Sequence, residues 1–212
     1  GEGPRTSGGG EERSIPIQEP NLLVILDVKN AFNSAKWNGI IREIKSRQIT
    51  VELTSVVQSD LSDIWLSVDG QWMEIAAGLP HESVLGPVLW TILYDDVLKL
   101  DMPEGVTIIG YADDLALVVV PKDRTHIENA TNKAAQIIKK GLDKAGLEIA
   151  TEKTKAVILE VRRKMTEAII WIGGEEIHTI ERAKYLGVVF GKNCNFAGHI
   201  EAVTSRAERK TM

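Results

Sequence analysis

Residues 106–120 read VTIIGYADDLALVVV, two apolar runs on either side of a short polar segment. Each run has the length and the Val, Ile and Leu content of a buried strand. The polar segment between them contains Asp113 and Asp114. The stretch therefore predicts a β-hairpin with two acidic residues at its turn.

An earlier strand also ends in an acidic residue. Residues 21–28 read NLLVILDV, a short apolar run that predicts a strand buried on both faces and ending near Asp27. Carboxylates beside a core are unfavourable unless they are paired, hydrogen-bonded or bound to a metal. If this strand lies beside the hairpin, three carboxylates meet at one edge, and such an oxygen site suits Mg²⁺ or Mn²⁺. Two such ions are an arrangement that supports phosphoryl transfer.

Spacing alone leaves a simpler interpretation open. Aspartate is common in turns, so Asp113 and Asp114 also fit a soluble hairpin tip, and Asp27 also fits a plain strand end. Taken without the surrounding sequence, this interpretation is the more favoured of the two.

The remaining pattern predicts an α+β domain with a largely antiparallel sheet and helices packed on one face. The pair Asp69-Gly70 predicts a second hairpin over residues 65–75. Apolar residues at helical spacing, and short apolar runs, predict the other elements. These are helices over 35–47, 51–61, 83–100 and 126–146, and strands over 155–161, 168–172 and 184–190, with a Gly173-Gly174 turn between two of the strands.

Composition predicts one globular domain. The 212 residues are 43% hydrophobic and 26% charged, and the net charge of −5 argues against a protein that binds mainly through a basic phosphate-binding surface. The single cysteine, Cys194, fits a reducing intracellular setting, nuclear or cytoplasmic, and no apolar run is long enough for a membrane span. The last 62 residues are the basic end, with candidate phosphate contacts at Arg162, Arg163, Lys164, Arg206, Arg209 and Lys210.

Five blocks in chain order resemble the palm motifs of reverse transcriptases. They are LDVKNAFNSAKW (26–37), GLPHESVLGPVLW (78–90), YADD (111–114), GLEIATEKTKAVIL (146–159) and KYLGVVF (184–190). The wording of AFN, SVLGPVLW and EKTKAVIL is most similar to non-LTR retrotransposons. The resemblance implies an RNA-directed DNA polymerase palm that takes an RNA template, a DNA primer and deoxynucleoside triphosphates.

The resemblance also implies a role for each matching residue. Asp27 and Asp113 would bind two catalytic Mg²⁺ ions, Asp114 would complete the site, and Val28 would offer a backbone carbonyl. Lys153 would assist pyrophosphate departure. The other implied positions are Phe32 under the incoming sugar, Ser83 in the nucleotide pocket, Tyr111 near the primer end, and Leu186-Gly187 in the primer grip.

The chain departs from the family pattern at His81 and Glu82, where the family usually has Gln and Gly. Glu82 adds a bulky negative side chain where phosphates and template pass, so we expect weak activity. We interpret residues 1–20 as a disordered leader, 21–190 as the palm and 191–212 as the start of a truncated thumb, with the fingers missing. A decayed or repurposed fragment that at most binds is the alternative, and a nucleotide cyclase is disfavoured because five ordered blocks match polymerases.

Overall fold

A six-stranded sheet lies at the centre of the protein in a computed structural model, which describes residues 22–79, 83–120, 124–159, 167–192 and 196–211. In chain order the strands and helices are β1 (Leu22–Asp27), α1 (Ala31–Ser34), α2 (Trp37–Ser46), α3 (Val51–Asp60), β2 (Trp65–Val68), β3 (Gln71–Glu74), α4 (Leu85–Leu98), β4 (Val106–Tyr111), β5 (Asp114–Val119), α5 (Arg124–Ala145), β6 (Lys155–Ile158), β7 (Ile169–Ile172), β8 (Glu175–Ile180), β9 (Arg182–Tyr185), β10 (Val188–Gly191) and α6 (Ala197–Thr211). From β1 to α5 the order of strands and helices follows the sequence prediction except for one additional short helix, α1.

The central sheet has the strand order β4-β5-β1-β6-β8-β7. Its neighbours pair antiparallel except β6 and β8, which are parallel. Strand β1 lies between β5 and β6, so its backbone is paired on both sides. This position explains its continuous apolar sequence, because side chains on both faces of an inner strand are buried.

The two faces of the sheet are covered by different elements. On one face, Leu22, Val24 and Leu26 of β1 join a large core with apolar residues of α2, α4 and α5. On the other face, Leu23 and Ile25 join a smaller core with residues of β9 and β10. The predicted α+β class, with helices packed on one face of a mainly antiparallel sheet, is confirmed.

Helix α4 presents its buried residues at helical spacing. They recur at three and four residue intervals and are Gly86, Leu89, Trp90, Leu93, Tyr94 and Val97. Near the C-terminal end of α2, Arg47 donates hydrogen bonds to Asp95 at 2.7 Å and to Asp96 at 2.9 Å. These ion pairs attach α4 to α2 on the side away from the sheet.

The β2–β3 hairpin forms a separate two-stranded sheet. Its turn consists of Asp69 and Gly70, with φ angles of 52° and 79°, as the Asp-Gly pair predicts. All eight strand residues are exposed, Trp65 and Trp72 among them.

The C-terminal region contains more strands than the sequence predicted. Three strands were expected, whereas the described residues from 155 onward contain five. The single strand predicted over 184–190 is wrong, because a turn at Leu186-Gly187 divides this segment between β9 and β10. Strand β8 was missed because EEIHTI begins with two glutamates and has little apolar content. The Gly173-Gly174 turn lies between β7 and β8. A short helix at α1 and a 3₁₀ turn at Thr151–Lys153 were also missed, since each is too short to establish a period.

The proposed boundaries of the leader, palm and thumb stay predictions. Residues 1–21 lie outside the described part of the chain, and α6 is an exposed helix that contacts β10. Within the described ranges, no helix has both the length and the apolar character needed to cross a membrane.

Close packing between β4 and α4 leads to a prediction about Gly110. A Cβ atom there would lie 2.5 Å from Cδ2 of Leu98. We therefore expect Gly110→Ala to lower the free energy of unfolding by about 1–3 kcal/mol, because the half-buried Leu98 must move from its position against the core. Urea denaturation measures this change.

Gly39→Ala is the matched control, because a Cβ there would meet Leu93 at an ordinary 3.5 Å within helix α2. This substitution should stabilise the fold by up to about 1 kcal/mol through helix propensity. Equal effects of the two substitutions would contradict the close approach of α4 to the hairpin.

Candidate active site

Pairing of β1 with β5 brings the predicted acidic residues together. Asp27, the last residue of β1, lies directly opposite Asp114, the first residue of β5. Tyr111 pairs with the same Asp114 across the β4–β5 hairpin, so Ala112 and Asp113 form a two-residue turn. All three aspartates therefore lie at one end of the central strands.

The alternation of side chains decides which face these carboxylates occupy. Residues two positions apart in a strand lie on the same face of the sheet, so Asp27 shares a face with Ile25, and Asp114 shares a face with Ala116. Ile25 and Ala116 belong to the smaller core beside β9 and β10. The carboxylates consequently lie on the face opposite the helices.

The turn between β4 and β5 is held in a strained conformation. Ala112 has a φ of 53°, in the left-handed region that costs an L-residue about 1–2 kcal/mol. Positive φ at the first central residue is a property of the primed turns that match the twist of paired strands. Hairpin geometry therefore requires this conformation even though the residue is not glycine.

Asp27 lies beside a lysine. Nζ of Lys153 is 3.0 Å from Oδ2 of Asp27, and interaction with this carboxylate raises the pKa of Lys153. The same Oδ2 atom is buried and has no partner in hydrogen-bond geometry among the described residues. The contact is thus an ion pair by distance, formed off the line of a good hydrogen bond.

The pKa of Asp114 is raised, first by burial and then by the charges of Asp113 and Asp27. The Lys153 ammonium, 3.0 Å from Asp27, offsets part of the negative charge of the cluster but does not remove the effect on Asp114.

Two observations bear on whether these residues fit a divalent metal. The donor set is entirely oxygen, which suits Mg²⁺ and Mn²⁺, and a cation would offset the carboxylate charges that contribute to the raised pKa of Asp114. Among the described residues, however, no three acidic, His or Cys side chains already form a metal-binding group. The chemistry of the site fits a metal, whereas the described side chains do not yet form a complete ligand set.

A stack of aromatic side chains lies beneath the turn. The Phe32 ring is 4.8 Å from the Trp90 ring at an interplanar angle of 21°, and Trp90 is 5.1 Å from Tyr94 at 23°. Nε1 of Trp90 donates a hydrogen bond to the Ala112 carbonyl at 2.9 Å. Sequence reasoning missed the role of Trp90, although its spacing of four residues from Tyr94 on a buried helix face was a usable signal.

Two buried tyrosines are affected by the charges of the carboxylates, Tyr94 in the core on the helix side of the sheet and Tyr185 in the smaller core on the other side. The hydroxyl oxygens of Tyr94 and Tyr185 are buried without a hydrogen-bond partner among the described residues. Burial raises the pKa of Tyr94, with further contributions from Tyr185, Asp113 and Asp114. Burial also raises the pKa of Tyr185, followed by the charge of Asp114. Both hydroxyls are therefore neutral at physiological pH, and neither was predicted from the sequence.

The other predicted site residues occupy varied environments. Ser83 accepts a hydrogen bond from the Gly86 N–H at 2.8 Å, as a helix cap does at the start of α4. The Val28 carbonyl accepts the Ala31 N–H at 3.3 Å. Tyr111 is 67% exposed, which leaves its ring accessible to a ligand. Leu186 and Gly187 form the β9–β10 turn, with φ angles of 46° and 83°.

Several predicted positions lie outside the described residues. These are His81, Glu82, Cys194, Arg162, Arg163 and Lys164. Of the candidate phosphate contacts on α6, Arg206 is exposed, and Nε of Arg209 donates to the Ser205 carbonyl of its own helix at 3.1 Å. Phosphate binding by this helix stays a prediction.

Comparison with known proteins identifies the family. Residues 6–190 match the family model described as reverse transcriptase (RNA-dependent DNA polymerase). The chain belongs to the reverse transcriptase family. It is a reverse transcriptase domain of the non-LTR retrotransposon type, as the relatives below indicate.

Curated relatives of this reverse transcriptase domain come from insect elements. The chain is 27% identical over 212 residues to a Pol polyprotein from the type-1 retrotransposable element R2 of Nasonia vitripennis, covering 86% of this chain and 20% of the relative. It is 28% identical over 186 residues to the RNA-directed DNA polymerase from mobile element jockey of Drosophila melanogaster, covering 82% and 20%. The chain thus spans about one fifth of the length of each.

Solved structures support the same fold for this reverse transcriptase domain. Apo telomerase from Candida tropicalis, truncated from its C-terminal domain, aligns with a TM-score of 0.54 at 13% identity and covers 84% of this chain and 35% of that one. Telomerase from the same organism in complex with a telomeric RNA fragment aligns with a TM-score of 0.55 at 12% identity, over 84% and 29%. The polymerase palm fold is therefore confirmed.

The raised pKa of Asp114 predicts a pH-dependent effect of Asp114→Asn on this reverse transcriptase domain. A carboxyl whose pKa is higher in the folded state than in the unfolded state destabilises the fold once pH rises through its folded pKa. In metal-free buffer at pH 7, the substitution should raise Tm by a few degrees. The gain should disappear as pH falls below the ordinary aspartate value of 3.8.

Asp69→Asn is the matched control, because Asp69 lies in the exposed β2–β3 turn and asparagine tolerates its φ of 52°. Differential scanning fluorimetry across pH should show little change for this variant. A loss of stability for Asp114→Asn at pH 7 would contradict the repulsion between the carboxylates.

Proposed function

We propose that this domain acts as an RNA-directed DNA polymerase, transferring nucleotides to the 3′-hydroxyl of a DNA primer paired with an RNA template. The observation that carries the proposal is the register that sets Asp27 opposite Asp114, beside the Asp113 turn. The match of residues 6–190 to the reverse transcriptase family model supports the proposal, because the three aspartates lie in segments that resemble the motifs of that family.

In this proposal Asp27 and Asp113 hold two divalent cations, Mg²⁺ or Mn²⁺, and Asp114 completes the site. When bound, such ions lower the pKa of an attacking hydroxyl and neutralise charge on a leaving group. The Val28 carbonyl has room for a further ligand, because a carbonyl oxygen has two lone pairs and the Ala31 N–H uses one.

Lys153 supplies positive charge where the pyrophosphate departs. Its raised pKa, caused by Asp27, keeps the ammonium charged at neutral pH. The ion pair also holds the side chain at the carboxylate cluster, at 3.0 Å from Asp27. A protonated lysine at this position can donate to the leaving oxygens as their negative charge develops.

Phe32 selects deoxynucleotides in this proposal, because its ring would clash with a ribose 2′-hydroxyl. Stacking on Trp90 at 4.8 Å restricts the movement of the ring, which makes such a clash effective. Tyr111, being largely exposed, would contact the primer end, and the Leu186-Gly187 turn would support the primer. Ser83 would contribute to the nucleotide pocket from the start of α4.

The organisation of the chain completes the proposal. Residues 21–190 form the palm, and residues 191–212 begin a thumb. Template and triphosphate contacts from fingers and the rest of the thumb would add the basic surface that a chain of net charge −5 does not supply.

Primer extension on poly(rA)–oligo(dT) with Mg²⁺ tests the proposal. We expect slow dTMP incorporation by the unmodified chain, lowered by roughly a hundredfold or more in Asp113→Asn, because the isosteric amide removes a metal-binding charge. Asp101→Asn, an exposed aspartate outside the site, is the matched control and should retain the rate. Incorporation that survives Asp113→Asn would overturn the assigned site.

Glu82 motivates a second function and a test that separates it from the first. A negative side chain in the motif where the family usually has Gly repels phosphates, so Glu82→Gly should raise incorporation severalfold. Gel-shift measurements with the same template–primer provide the parallel readout. If the unmodified chain and the Glu82→Gly variant both bind the nucleic acid and neither incorporates nucleotide, the chain is a binding module derived from a retroelement rather than a polymerase.

A further inference from the structure

One tryptophan connects three parts of the candidate site. Trp90 is 2% exposed and lies on the sheet-facing side of α4. Its ring stacks on Phe32 and on Tyr94, and its Nε1 atom donates a hydrogen bond to the Ala112 carbonyl. The Trp90 side chain thus joins α1, α4 and the β4–β5 turn.

The hydrogen bond to Ala112 acts on a group that the strands leave unpaired. The β4–β5 ladder ends at the Tyr111–Asp114 pair, so the carbonyl of Ala112 projects from the turn without a strand partner. A peptide unit is planar, and the plane that contains the Ala112 carbonyl also contains the N and Cα atoms of Asp113. Fixing that oxygen therefore fixes the position from which the Asp113 side chain extends.

The strain of the turn makes such a restraint necessary. Ala112 has a φ of 53°, which an L-residue rarely keeps unless its surroundings impose it. On the same helix, Leu98 packs against Gly110, so α4 contacts the hairpin at two separate points. The helix thus restrains the turn through a hydrogen bond and the strand through packing.

We propose that Trp90 is a positioning residue, which sets Asp113 relative to Asp27 through the Ala112 carbonyl and holds Phe32 by stacking. The Nε1–H group of Trp90 restrains the turn, and the ring surface of Trp90 restrains Phe32, so the two effects can be separated by mutation. Loss of the Nε1–H group should release the turn, and loss of the aromatic surface should also release Phe32. Metal binding depends on restraint of the turn by the Nε1–H group, and this part of the inference rests on the proposed function.

Hydrogen–deuterium exchange of the full chain tests the positioning without reference to activity. Trp90→Phe keeps an aromatic ring and removes the donor. We expect amide exchange in residues 111–114 to accelerate by about tenfold, the amount that corresponds to losing one buried hydrogen bond. Unchanged exchange in a folded Trp90→Phe protein would overturn the proposal.

Trp37→Phe is the matched control. Trp37 is also buried, and its Nε1 atom donates to the Gly78 carbonyl at 2.7 Å, which is not part of the β4–β5 turn. The Trp37→Phe variant should lose about as much stability as Trp90→Phe and leave amide exchange in residues 111–114 unchanged. Equal acceleration in both variants would mean that the effect is general destabilisation, and this would also overturn the proposal.

Mn²⁺ titration followed by electron paramagnetic resonance gives the second readout. Trp90→Phe should weaken Mn²⁺ affinity by about tenfold, as loss of a residue that orients a ligand does, whereas Trp37→Phe should not. If the unmodified chain binds no Mn²⁺ while Trp90→Phe still accelerates exchange, the proposed function fails and the positioning role stands. Normal Mn²⁺ affinity in Trp90→Phe would overturn the link between Trp90 and the metal site.

Discussion

The antiparallel register between β1 and β5 is the constraint on which the rest of the site depends. Leu22, Val24 and Leu26 must face the helical core, and side chains alternate between the two faces of a strand. A slip of one residue would turn these leucines and valine to the wrong face and remove Asp27 from its position opposite Asp114. Burial of apolar side chains thus fixes the location of the carboxylates.

The grouping of carboxylates that the proposed function requires also lowers the stability of the fold at the ends of β1 and β5. The core requires β1 and β5 to pair, and in the paired strands the pKa of Asp114 is raised first by burial and then by the charges of Asp113 and Asp27. The left-handed conformation of Ala112 adds strain in the same turn. Helix α4 packs along the hairpin and donates a hydrogen bond to its turn, so the surrounding fold maintains the strained conformation of Ala112.

Features that depend on local sequence were predicted, and those that depend on tertiary packing were not. The β1 strand, the Asp69-Gly70 turn and the helix that contains Trp90 follow from apolar patterns and turn chemistry. Strand β8 was missed because its pairing with β6 and β7 outweighs a polar sequence. The partners of Trp90 and the unpartnered hydroxyls of Tyr94 and Tyr185 depend on three-dimensional neighbours that spacing does not specify.

The proposed function requires a divalent metal to bind at the paired strand ends. Anomalous scattering from crystals of the chain grown with Mn²⁺ tests this binding. We expect an anomalous peak in contact with Asp27 and Asp113, with the Asp113 side chain turned toward Asp27. Ordered Asp27 and Asp113 side chains without a peak between them, at a Mn²⁺ concentration that saturates binding in solution, would contradict it.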